Sequence, residues 1–237
     1  MIKNLFKGGN KMKKIGLIIM FLLFSQAAFA APNTGFYVGI AGGYVIPQTM
    51  EISNIDNSSG KSDITLNNGY LLSIKTGWNT PFTRNIMAME VEYNYINNDF
   101  DNSKIVPSPV DGYPATLDAN MSIHAVLFNM KARYPEGPIH PYAGFGLGWA
   151  FASVGDITDR AYDGSGTFIL SGESGSGFCW QFLAGVDIDI APNMSLGIGY
   201  KYFAAYPNVG EKYSYDGYYA DLDYRASIIT AGLTFTF

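Results

Sequence analysis

Past residue 35 the chain keeps changing sides. Large apolar residues take every second position, and small or polar residues take the positions between. In 36–46, Phe36, Val38, Ile40, Tyr44 and Ile46 share one face, while Gly39, Ala41 and Gly43 share the other. In 141–153, Phe145, Leu147, Trp149 and Phe151 oppose Gly144, Gly146, Gly148 and Ala150. Six further segments repeat the pattern: 70–78, 86–95, 121–134, 178–190, 195–203 and 225–237. Period-two alternation is the signature of a strand with two unlike faces. Each segment is close to the 9–11 residues that a tilted strand needs to cross a bilayer.

The breaks between segments alternate in length: long, short, long, short, long, short, long. A transmembrane barrel produces that rule, because its connections fall on two sides of a membrane and only one side carries long loops. The expected fold is therefore all-β: an eight-stranded antiparallel up-and-down transmembrane β-barrel. The bulky apolar face should meet lipid, since glycines and ionised groups on the other face could not form a greasy calyx.

Charge sharpens the assignment. Lys75, Glu90, Glu92, Lys131, Arg133, Asp187, Asp189 and Lys201 all fall on the small-residue face. Lys or Arg on the lipid face at midplane costs about 2–4 kcal/mol, and a buried charge must be paired. A luminal ion-pair network is expected, with Lys75 near Glu90 and Lys131/Arg133 facing Asp187/Asp189. Aromatics at segment ends (Tyr70, Trp78, Tyr95, Tyr134, Tyr142, Tyr200, Tyr202) fit interfacial girdles; ordinary strand propensity is the plainer reading of any one of them.

Composition agrees. The chain has 237 residues with 27 Gly, 16 Phe, 17 Tyr and only 15% charged residues, against about 25% charged in soluble domains. Its mean hydropathy of +0.06 excludes a helical membrane protein, which needs apolar runs of about 20 residues. The apolar run at 15–24 is shorter. It follows Lys11, Lys13 and Lys14 and precedes Ala28-Phe29-Ala30, the order of a secretory signal peptide. Residues 1–30 are expected to be that signal and 31–237 the barrel domain. Lys7-Gly8-Gly9 upstream of Met12 suggests that translation starts at Met12.

Removing residues 1–30 removes five lysines and no acid, leaving 10 Lys plus Arg against 20 Asp plus Glu. Nucleic acid, which needs a basic footprint, is not expected as a partner. Cys179 is the only cysteine, so no internal disulfide can form; His124 and His140 are the only histidines and no metal or cofactor site is read.

The C-terminus reads Thr230-Ala231-Gly232-Leu233-Thr234-Phe235-Thr236-Phe237. Thr230, Gly232, Phe235 and the final Phe237 resemble the signal by which the assembly machinery recognises bacterial outer-membrane barrels. Residues 141–148, 183–187 and 196–202 resemble the small outer-membrane β-barrel superfamily, which includes the OmpA transmembrane domain, opacity-type adhesins and surface antigens. The resemblance implies short periplasmic turns, variable surface loops, and outer-membrane lipid and lipopolysaccharide as surroundings in a Gram-negative cell. The chain ends at Phe237, so no peptidoglycan-binding domain of the OmpA kind is expected to follow.

The long breaks hold 15 acids and four bases. Solubility and mutual repulsion account for this; bridging of lipopolysaccharide phosphates by divalent cations is the sharper alternative. Tyr213, Tyr215, Tyr218 and Tyr219 crowd the last break, and Tyr is a low-entropy contact residue in recognition loops, which would suit a host or cell-surface ligand. Gly144-x-Gly146-x-Gly148 is not a nucleotide loop, because two-residue spacing puts all three on one strand face. For a lipid hydrolase, His140 beside Pro141 in a turn and His124 on the lipid side lack a serine partner. A small porin-like channel is the remaining alternative, although an eight-stranded lumen is just wide enough to be filled by side chains.

Replacing Met12 with Ala should abolish expression if translation begins there; undiminished expression on an immunoblot would place the start upstream.

Overall fold

The computed structural model describes residues 35–53, 61–103, 105–107, 114–161, 167–170, 172–209 and 220–237. The signal-peptide and Met12 readings, and Tyr213, Tyr215, Tyr218 and Tyr219, lie outside them.

Eight long strands make the wall: β1 (Phe36–Pro47), β4 (Gly69–Asn79), β5 (Met87–Asp99), β8 (Asn120–Arg133), β9 (Ile139–Val154), β12 (Ser174–Ala191), β13 (Met194–Ala205) and β15 (Ala220–Thr236). Each pairs antiparallel with the next, and β15 returns to β1 over Tyr37–Thr236 to Pro47–Ala226, which closes the barrel. Following paired residues once around gives Phe36, Trp78, Met89, Met130, Phe145, Phe182, Tyr202, Ser227 and then Ile46. The circuit starts at position 36 and returns at 46, so the barrel is staggered by ten residues. With strands spaced about 4.8 Å apart, that stagger tilts them about 40°.

Alternation sorts the two faces. Ile40, Leu72, Phe128, Leu147, Phe182 and Ile198 point outward and are 49–60% exposed. A continuous apolar belt on this scale is a surface made for lipid. Phe36 stacks on Trp78, with ring centroids 5.8 Å apart, beside the short turns. Tyr70, Tyr95, Trp149 and Trp180 form a second outward aromatic ring toward the long connections. Tyr142 departs from the expected girdle set: its even-numbered position on β9 turns it into the lumen with Gly144 and Gly146, and the Lys131 ammonium lies 5.2 Å from its ring centroid.

The lumen is stratified. Toward the long connections it is filled by an apolar plug that includes Leu71, Ile96, Ile123, Leu127, Phe203 and Ile228, each at most 1% exposed. The small-or-polar face therefore changes character partway up the barrel. Positions facing the lumen still alternate there, and large apolar side chains pack that end against one another.

Beyond the belt the chain continues as strand where a loop is expected. The hairpin of β2 (Met50–Ser53) and β3 (Lys61–Ile64) adds to β15. The strand β14 (Asn208–Val209) bridges β12 and β15. A separate four-stranded sheet contains β6 (Ile105–Pro107), β7 (Pro114–Asp118), β10 (Ile157–Ala161) and β11 (Thr167–Leu170). These strands are only 2–5 residues long, too short for a period-two signal to stand out, while the backbone ladder continues.

Close approach makes some glycines obligatory. A Cβ on Gly146 would sit 1.9 Å from Asn129 Oδ1, whereas one on the outward Gly42 would meet nothing within 4 Å. Gly146→Val should destabilise the refolded protein by about 1–3 kcal/mol through overpacking, and Gly42→Ala should be neutral; thermal unfolding in detergent micelles reads both.

Candidate functional site

Below the plug, two glutamates of β5 organise the lumen. Glu90 and Glu92 point inward and are 3% and 2% exposed. Glu90 Oε2 accepts from Lys131 Nζ at 2.6 Å and from the Tyr37 hydroxyl at 2.9 Å. Asn129 Nδ2 bridges the pair, donating to Glu90 Oε1 at 2.9 Å and to Glu92 Oε2 at 3.0 Å. Glu92 also accepts from Ser73 Oγ at 2.6 Å and Gln181 Nε2 at 2.8 Å, and is ion-paired with Lys201. Lys75 Nζ stands 3.9 Å from Glu90 Oε2. Each carboxylate thus has a cation and several neutral donors, which offsets the cost of burying its charge.

Register explains which residues meet. Glu90 lies opposite Asn129, which makes Lys131 its diagonal neighbour on the adjacent strand. Lys201 belongs to β13, four strands from β5 around the wall, so it reaches Glu92 across the lumen.

Lys131, Arg133, Asp187 and Asp189 line one vestibule as expected, but no ion pair within 4.0 Å joins the bases to the acids. Lys131 is engaged by Glu90, and β9, with Gly144 and Tyr142 opposite Lys131 and Arg133, separates β8 from β12. Asp189 instead accepts from His140 Nε2 at 3.0 Å and Ser195 Oγ at 2.7 Å. Asp187 Oδ1 and Arg133 Nε are buried without a hydrogen-bond partner. Asp187 Oδ1 packs over Gly197, where a Cβ would approach within 2.6 Å.

His140 is not in a turn. It is 5% exposed inside β9, and its Nδ1 lies 2.9 Å from the Tyr134 carbonyl. Its even-numbered parity with Tyr142 and Gly144 was the available signal. Tyr37, Ser73, Asn129 and Gln181 also belong to the network without standing out in the sequence, since a neutral side chain on a polar face carries no mark of what it bonds.

Under the network the lumen widens into a vestibule of about 830 Å³ at the short-turn end, lined by Lys75, Lys131, Arg133, Tyr142, Asp187 and Phe237 among others. His140, Asp189 and Ser195 meet there, but the carboxylate stands in the middle. A nucleophilic serine needs the imidazole between it and the acid, and both nitrogens of this ring already face acceptors. His124 Nδ1 is taken by the Tyr93 hydroxyl at 2.6 Å. Among the described residues no serine is hydrogen-bonded to a histidine.

The C-terminal residues form the closing strand. Thr230 and Gly232 face the lumen, Phe235 is 37% exposed, and the Phe235 and Phe237 ring centroids lie 5.0 Å apart. The Phe237 amide donates to the Phe36 carbonyl at 2.8 Å.

The family model described as outer membrane protein beta-barrel domain matches residues 16–237. The chain belongs to this family. Its place is accordingly the Gram-negative outer membrane, with the short turns periplasmic and the long connections extracellular. No curated protein matches it. Among solved structures, it resembles Neisserial surface protein A (NspA), with a TM-score of 0.52 at 18% identity over 86% of this chain and 97% of that one. It also resembles the outer membrane protein OprG from Pseudomonas aeruginosa, with a TM-score of 0.55 at 11% identity over 86% and 96%. At such identities the likeness concerns the fold.

The two glutamates predict unequal partners. Lys201→Met should cost about 3–5 kcal/mol, because it leaves Glu92 without its cation, and adding Glu92→Gln should restore most of the loss. Lys75→Met should cost under about 1 kcal/mol, because Glu90 keeps its shorter contact with Lys131. Unfolding of the refolded variants in micelles gives the ranking.

Proposed function

We propose that this outer-membrane barrel acts through its extracellular end, as a structural surface protein or one that contacts a host or cell-surface ligand, rather than by passing solutes. The observation that carries this reading is the filled lumen. The Glu90–Glu92 network and the apolar plug above it occupy the axis in succession, and an eight-stranded lumen has little width to spare. Solute flow would require both layers to part, and buried ion pairs are costly to break.

The wall meanwhile continues past the outer aromatic ring into β2–β3 and β14, and a separate four-stranded sheet forms within the long connections. In sequence, the acidic breaks join these strands, and the Tyr-rich stretch 210–219 lies between β14 and β15. A Tyr-rich stretch suits recognition, because Tyr supplies contact area at low entropic cost. The acidic balance favours a partner with a basic or cation-bridged surface.

In planar bilayers the refolded protein should show no large stable conductance steps; such steps would establish the small porin-like channel instead. Deleting 210–219 should abolish binding of protein-expressing bacteria to cultured epithelial cells while heat-modifiable migration of the barrel is kept. Binding that survives the deletion would remove the Tyr-rich stretch from the reading.

A further inference from the structure

Two opposite charges in the periplasmic vestibule stand unmatched. Arg133 on β8 and Asp187 on β12 both line this cavity of about 830 Å³. The other luminal charges are taken: Lys201 pairs with Glu92, Lys131 and Lys75 stand with Glu90, and Asp189 accepts from His140 and Ser195. Among the described residues, neither Arg133 nor Asp187 has an ion-pair partner within 4.0 Å. Arg133 Nε and Asp187 Oδ1 are moreover buried without a hydrogen bond. Each charge has thus lost solvent on one edge with nothing in return, which is costly for an ionised group.

The fold keeps the two apart. Strand β9 runs between β8 and β12, and its Tyr142 lies opposite Arg133 on one side and Gly185 on the other. The Tyr142 hydroxyl reaches across the lumen, 2.6 Å from the Cβ position of Gly185 and 2.7 Å from that of Gly199. Asp187 is seated from the far side, with Oδ1 2.6 Å from the Cβ position of Gly197. Bare backbone at these three positions leaves room for the phenol and the carboxylate. A tyrosine therefore stands between the strand that carries the cation and the strand that carries the anion.

The cavity opens one way. The Glu90–Glu92 network and the apolar plug close it above, while Asn79, Asn85 and Asn193 line it at the short turns. A solute enters from the periplasm and leaves by the same mouth. Charge narrows its class. Lys75, Lys131, Arg133 and Lys201 balance Glu90, Glu92, Asp187 and Asp189 in number. An anion or a cation alone would upset that balance and satisfy only one of the two unmatched groups. A solute carrying both charges satisfies both, because a guanidinium fork suits a carboxylate and a carboxylate accepts from an ammonium.

We infer that the vestibule is a binding site for a small periplasmic zwitterion with the chemistry of a free α-amino acid. Its carboxylate meets the Arg133 guanidinium, its ammonium meets the Asp187 carboxylate, and Tyr142 lies between them. The rest of the cavity has room for a side chain. Binding here does not pass the solute onward. The site is independent of the surface role proposed above, since it lies at the opposite end of the barrel.

The test uses the refolded protein in dodecyl maltoside micelles, whose headgroup is uncharged. Glycine is titrated as the smallest member of the class. Acetate and methylammonium, which each carry one of its two charges, are titrated in parallel. The Arg133 Nε–Hε resonance and the Gly185 and Gly199 amides are followed by NMR. Glycine should shift them saturably, and each half-ligand should bind roughly tenfold more weakly or worse. Arg133→Gln and Asp187→Asn should each weaken glycine binding about tenfold, as the loss of one charge-assisted hydrogen bond implies. Ser227→Ala, whose hydroxyl meets Tyr200 on the outer wall, should leave binding unchanged. Acetate binding as tightly as glycine would overturn the inference in favour of a plain anion pocket. Shifts that never saturate, or that survive both variants, would overturn it in favour of a vestibule holding water alone. The half-ligand comparison uses the unsubstituted protein, so it decides the matter even where a variant fails to fold.

Discussion

A backbone amide in hydrocarbon can bond only to another part of the protein, and the whole molecule answers to that constraint. Eight strands satisfy one another in sequence, but the first and last would each keep an open edge. The ladder between β1 and β15 removes both edges at once. Its register is also what imposes the ten-residue stagger, and the stagger sets tilt, width and the level at which each inward residue meets the far wall. Closure thus comes before every luminal contact.

A barrel this narrow must then fill itself. Three layers do so by different physics. The extracellular half packs apolar side chains at core density. The middle buries two carboxylates whose charge is matched by lysines and whose remaining lone pairs are met by Tyr37, Ser73, Asn129 and Gln181. The periplasmic part stays open and polar. The glycines of β9 belong to the same solution, because their bare backbone leaves space for Asn129 and Gln181 at the axis. The closed wall is that of the outer membrane protein beta-barrel family, and these side chains build the layered filling inside it.

Legibility followed the range of the interaction. Faces were readable because strand parity is local: every charge on the small-residue face of 70–78, 86–95, 121–134 and 195–203 turns inward. His140 was misplaced because Pro138 and Pro141 mark a turn, although β9 begins at Ile139 and parity carries the imidazole inward. The extracellular strands were hidden for a different reason. Over strands of two to five residues the ladder persists, but an alternating pattern is too short to reveal it.

Pairing lay beyond local reading. Lys75 and Glu90 sit on adjacent strands joined by a short turn, so their proximity follows from hairpin register. Lys131 and Asp187 share a face and complementary charge, yet a glycine-bearing strand separates them and Glu90 is nearer to hand. Lys201 reaches Glu92 only because four strands of curvature bring opposite walls together. The sequence by itself determined the strand number, the two faces and the medium that each face meets, since these depend on alternation and spacing. The closed tertiary structure decided which charges pair and where the lumen turns apolar. Those depend on stagger and curvature, which arise only when the last strand bonds to the first.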